Sequence, residues 1–124
     1  MKYVILIHSN PASREMWESF STEEQAEGFE YYGRIVDDLV ASGELMVTHA
    51  LADPSLAKTV TVRDDGGAIT TDGPFAEAKE QLAGFFLIDC ETPERAVEIA
   101  ARMPEAGLGL IEVRPVLDLG GMEM

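Results

Sequence analysis

Few residues in this chain are equipped for proton, anion or nucleophilic chemistry. Two histidines, one cysteine and nine basic residues stand against 23 acidic ones. Asp72 sits in Thr71-Asp72-Gly73-Pro74-Phe75, a setting where a carboxylate can accept backbone N–H groups or act as an acid–base group. Strict alternation through Leu45, Val47, His49 and Leu51 puts His49 on a sheet face with apolar residues. Such a histidine is either a satisfied core residue or a general base, because imidazole titrates near neutrality. His8 ends an apolar run beside Ser9-Asn10-Pro11 and reads as bonding a loop carbonyl. Arg63 shares its strand face with Thr59 and Thr61, and Glu112 shares one with Arg114. These charges fit an ion-pair network across a sheet, or guanidinium forks that orient a carboxylate ligand. Glu77, Lys79 and Glu80 follow Asp72 as a charged stretch, either solvated or at a pocket edge.

The local physics of Asp72-Gly73-Pro74-Phe75 is that of a turn. Asp and Gly favour it, Pro fixes φ and cannot continue a ladder, and Phe can anchor it. Asp72 also suits the N-cap of a short helix expected near residues 76–81. Cys90 has no partner for a disulfide, and no histidine–cysteine spacing fits a zinc site. No phosphate-cradling loop is present, since Asp65-Gly66-Gly67 is a hairpin signal. No cofactor is expected from these motifs.

The elements that must position these groups follow from periodicity. Tyr3 to His8 predicts a first strand. A short helix is expected near residues 13–20. Ser21 or Thr22 with Glu24 or Gln25 forms a capping-box pattern ahead of a long helix. Phe29, Tyr32, Ile35, Val36 and Leu39 form that helix's apolar stripe, and Gly43 ends it. Strands are predicted at 44–51, 57–63, 68–71, 84–89 and 111–117. Thr92-Pro93-Glu94 opens a second long helix with Ala96, Val97, Ile99 and Ala100 inward. The order is an α+β, ferredoxin-like βαββαβ layout with a hairpin extension. Both long helices would cover one face of an antiparallel sheet. The other face would need a partner, and a homodimer packing sheet on sheet is the expected one.

The 124 residues suit a single domain spanning 1–124. A net charge of −14 repels phosphate backbones and anionic lipid, so neither nucleic acid nor a membrane is an expected partner. The first strand is short and lacks a cleavage site after it, so it is not read as a signal peptide. No run approaches the roughly 18 apolar residues of a membrane span. A cytoplasmic location is the expectation.

The run Thr71 to Glu80, continued by Gln81-Leu82-Ala83-Gly84-Phe85-Phe86-Leu87-Ile88, resembles the signature of the DGPF family within the YCII-related group. Lys2 to Ile7, Thr59 to Arg63 and Glu112 to Val116 extend the likeness over nearly the whole chain. The resemblance implies a ferredoxin-like subunit dimerising into an α+β barrel. Related barrels include lactone isomerases, small-molecule monooxygenases and haem enzymes. Some members are linked to alternative sigma factors, which implies a regulatory role. The resemblance also implies that Asp72, Glu77 and Lys79 shape a pocket edge or dimer contact. Narrower YCII proteins carry a histidine–aspartate pair, and its histidine position falls here at Tyr32. A phenol with an ordinary pKa of about 10 cannot take over that role unaltered. Tyr32 is therefore a core or cavity-wall aromatic, with a pocket-lining role open. The function expected is small-molecule binding. If the protein is an enzyme, it would use metal-free acid–base chemistry by Asp72 and His49. Arg63 and Arg114 would meet the ligand. The alternative is a non-catalytic interaction module.

Overall fold

The structure, a computed structural model, describes residues 1–75 and 78–119. The elements run β1 (Lys2–Ser9), α1 (Pro11–Ser19), α2 (Thr22–Ser42), β2 (Leu45–Ala50), β3 (Lys58–Val62), β4 (Ala68–Asp72), β5 (Gln81–Asp89), α3 (Pro93–Ala101) and β6 (Ile111–Pro115). Four strands form an antiparallel sheet in the order β2-β5-β1-β6, and β3 and β4 form a separate hairpin. That order and the helix positions make the body ferredoxin-like.

The helices begin and end where their caps dictate. Asn10 Oδ1 accepts from Ser13 N at 2.7 Å, and Ser13 Oγ accepts from Asn10 N at 2.9 Å. This box starts α1 at Pro11, two residues before the predicted start. Ser21 and Glu24 make the same exchange at the start of α2, at 3.1 and 2.9 Å. Gly43, at φ +77°, ends it in the left-handed conformation that glycine tolerates. Thr92 caps α3 by accepting from Arg95 N at 3.1 Å.

The core lies between one sheet face and helices α2 and α3. Tyr3, Ile5 and Ile7 of β1 and Phe86 and Ile88 of β5 meet Ile35 and Leu39 of α2 and Ala96, Ile99 and Ala100 of α3. Burying each such large side chain contributes about 1.5–3 kcal/mol. Two predicted core positions lie outside this layer. Val97 is 57% exposed, being a single residue, about 100° of helix, from inward Ala96. Phe29 is 69% exposed, and its ring meets Trp17 of α1 edge-on at 5.3 Å.

The opposite sheet face carries no helix. Paired residues share a face. The β1–β5 pairs Val4↔Leu87 and Leu6↔Phe85 therefore lie on this open face, and Tyr3↔Ile88 and Ile5↔Phe86 on the helix face. Glu112 and Arg114 pair with Leu6 and Val4, so they too are on the open face.

Two bulges interrupt the alternation. Between β2 and β5 the register passes from Leu45↔Ile88 to Val47↔Leu87, leaving Met46 as the extra residue. Leu45 consequently faces the helices, while Val47 and His49 face the open side. The single-face reading of β2 is thus corrected: His49 does not share a face with Leu45. The second bulge, at Ala83, takes β5 from Gly84↔Ile7 to Leu82↔His8.

Between β2 and β5 the chain leaves the body as the β3–β4 hairpin. Its tip is Asp65-Gly66-Gly67, with Gly66 at φ +88° and Asp65 Oδ1 accepting from Gly67 N at 2.8 Å. Its base is closed by Gly73 N donating to Ala57 O at 2.7 Å. The short helix predicted over 76–81 is not formed by its described part. Lys79 and Glu80 make a bend and Gln81 already belongs to β5, whose ladder reaches further than predicted. Residues 76 and 77 lie outside the described residues.

Candidate functional site

A cleft of about 390 Å³ opens where the hairpin base meets the end of the main sheet. Leu51, Pro54 and Leu56 reach it from the β2–β3 connection, Pro74 and Phe75 from the turn after Asp72, and Leu82 from β5. The connection is shaped by a short 3-10 turn, Pro54–Leu56, capped by Asp53. Asp53 Oδ1 accepts from Ser55 N at 2.9 Å, and bonds from Ser55 hold that carboxyl below its usual range. Gly73, at φ +92°, makes the reversal that brings Pro74 and Phe75 to the cleft. Leu56 and Phe75 remain 73% and 71% exposed, so large apolar surface faces solvent here.

Asp72 is the last residue of β4 and not a helix cap. Lys58 Nζ donates to Asp72 Oδ1 at 2.6 Å across the hairpin base. Lys58 lines the cleft, and its charge is already matched by that carboxylate. Asp53 and Gln81 supply further polar groups at the lining.

The other sequence-predicted residues are distributed around this cleft and do not converge on it. His49 is exposed on the open sheet face, its ring tilted against Phe85 at 6.0 Å between centroids. No hydrogen bond joins it to Asp72 among the described residues. Arg63 lies at the hairpin tip, its Nε 3.4 Å from Asp65 Oδ1. Arg114 is on the open face opposite Val4. Lys79 stands in the exposed bend before β5. Glu77 lies outside the described residues.

Tyr32 belongs to the helix layer. Its ring stacks on Phe86 at 6.2 Å and its hydroxyl donates to the Glu105 carboxylate. Burial, then that carboxylate, pushes its pKa up, so the phenol stays neutral. Cys90 is buried, and burial raises its thiol pKa as well. A protonated, enclosed thiol is a poor nucleophile.

One pairing escaped sequence reasoning. His8 Nε2 lies 3.3 Å from Glu112 Oε1 on the open face. His8 therefore pairs by its ring with a carboxylate, and its backbone N–H donates to Leu110 O at 2.9 Å. Alternation alone contains a hint, since His8 follows Val4 and Leu6 at steps of two. Knowing that β6 lies beside β1 was the missing part. Among the described residues, no group of three or more His, Cys, Asp or Glu is placed to hold a metal ion. No helix among them is long and apolar enough to cross a membrane.

Layout and cleft together define an α+β protein with a two-helix layer, an open sheet face and an appended hairpin. The YCII-related domain model matches residues 1–120. An uncharacterised protein of Rhizobium meliloti (strain 1021) is 33% identical over 118 residues, covering 94% of this chain and 92% of that protein. The chain belongs to the YCII-related family.

Proposed function

We propose that this protein is a small-molecule-binding subunit of a homodimer, with the cleft beside Pro74 and Phe75 as its ligand site. The cleft carries this reading. Its volume of about 390 Å³ falls within the range of roughly 300–1,000 Å³ usual for small-ligand sites. Its lining is mainly apolar with a few polar groups, the composition such sites share. Asp72 contributes by holding Lys58 at the cleft edge. The reading is one of binding. Acid–base work by Asp72 and His49 would need a ligand spanning two groups that do not touch.

The homodimer is supported by the open sheet face. Val4, Leu6, Val47, Phe85 and Leu87 are only half-buried there. A two-fold axis would lay the apolar part of this face on its own copy, with the His8 end of β1 at the edge of the contact, the arrangement that satisfies an apolar sheet most economically.

A thermal-shift screen of neutral and charged small molecules tests the ligand site, run in parallel on wild type and Phe75→Ala. Binding only to the folded state raises its stability. A set of compounds should stabilise wild type and lose that effect in the variant. The reading fails if no compound separates the two proteins.

A further inference from the structure

We propose that the cleft continues, past Leu82, to a polar subsite formed by His8 and Glu112, and that the pair selects ligands with a hydrogen-bond-donating neutral or cationic head. This rests on the cleft being a ligand site. Leu82 lines the cleft and is the cross-strand partner of His8 in the β1–β5 ladder. Directly paired side chains project from the same face, with Cβ atoms about 4.5–5.5 Å apart. The bulge at Ala83 creates this match: beyond it, β5 presents Leu82 rather than Ala83 opposite His8. An apolar body seated against Leu82 and Phe75 therefore has the His8 ring as its next neighbour along the sheet.

The charge of that neighbour decides the ligand class. Glu112 Oε1 lies 3.3 Å from His8 Nε2, so in the tautomer whose Nε2–H faces that carboxylate the other ring nitrogen is an acceptor. The subsite thus offers an acceptor and a carboxylate. Lys58, the cation at the cleft, is matched by Asp72. Arg63 lies by Asp65 at the hairpin tip, and Arg114 pairs opposite Val4, four residues from His8 along β1. The net charge of −14 acts in the same direction. Such a subsite favours aryl or alkyl alcohols and amines over carboxylic acids.

Three probes of one skeleton test this: 1-naphthalenemethanol, 1-naphthylmethylamine and 1-naphthoate. Affinities would be measured by fluorescence titration of the intact protein. The alcohol and the amine should each bind about tenfold more tightly than the carboxylate, a difference set by the polar head alone. Glu112→Gln should reduce the preference for amine over carboxylate by about fivefold, the effect of one exposed charge pair. His8→Gln, and His8→Ala as a second variant, should weaken the alcohol while leaving the carboxylate unchanged. Phe75→Ala should weaken all three alike. If no probe binds, the cleft and the subsite both fall. If all three bind through Phe75 without discrimination, or the His8 and Glu112 variants behave as wild type, the cleft stands and the subsite is wrong.

Discussion

The Arg95 guanidinium grips the Glu44 carboxylate with two hydrogen bonds, Nε to Oε2 at 2.9 Å and Nη2 to Oε1 at 2.8 Å. The pair ties the start of α3 to the residue that leads into β2. Those bonds, with a further one from Ser42 and against the opposing effect of burial, lower the Glu44 pKa from 4.5 to about 2. A carboxyl whose folded pKa is depressed stabilises the fold fully above its unfolded value. That contribution declines as pH falls from 4.5 and is gone below about 2. Arg95 is two-fifths exposed, so solvent screening reduces the effect to about 1 kcal/mol. Glu44→Gln should therefore lower stability at neutral pH by about that amount. Denaturant unfolding at a series of pH values should show the gap closing across the acid window. A gap of constant size would exclude this linkage.

Gly84 has no room for a side chain. A Cβ there would lie 2.9 Å from the His49 carbonyl oxygen and 3.3 Å from Ala50 Cα, both backbone atoms of the neighbouring strand. Gly84→Ala should therefore cost about 1–3 kcal/mol, as overpacking against an unyielding neighbour does. A melting temperature equal to that of wild type would show that β2 can move aside.

Tyr32 and Glu105 join α2 to the turn after α3 through one hydroxyl. Tyr32→Phe keeps the stacking on Phe86 and removes that donor. Losing a hydrogen bond to a charged acceptor should cost about 1.5–3 kcal/mol. A double-mutant cycle with Glu105→Gln isolates the pair. Additive losses would mean the hydroxyl matters for another reason.

The open sheet face gives the assembly prediction. Phe85→Glu places a charge among Val47, Leu6 and Leu87 without entering the helix-side core. Sedimentation equilibrium should report a dimer for wild type and a monomer of native far-ultraviolet spectrum for the variant. A wild-type monomer would rule out the sheet-to-sheet assembly.

Much of the body was legible in the sequence because its signals are local. Ser21 with Glu24, Gly43, Thr92-Pro93 and Asp65-Gly66-Gly67 each specify a boundary through their own chemistry. The faces of β2 were not legible, because one extra residue at Met46 inverts the alternation and nothing in the local sequence announces it. The role of Asp72 was half legible. Its turn follows from Gly73 and Pro74, but its Lys58 partner lies 14 residues away across the hairpin. The His8–Glu112 pair spans 104 residues and depends on the β1–β6 register, which only the folded chain supplies. The cleft was hidden for the same reason, being assembled from three separate stretches.

Leu51 N already donates to Ala83 O at 2.7 Å, so the two ends of the hairpin excursion meet on the main sheet. The body closes its ladder without the hairpin, and no residue of β3 or β4 belongs to the buried core cluster. The described residues between Leu51 and β5 thus behave as a cartridge clipped to a finished chassis. Most of the cleft lining comes from the cartridge, so substitutions there would reshape the cleft without touching the buried core.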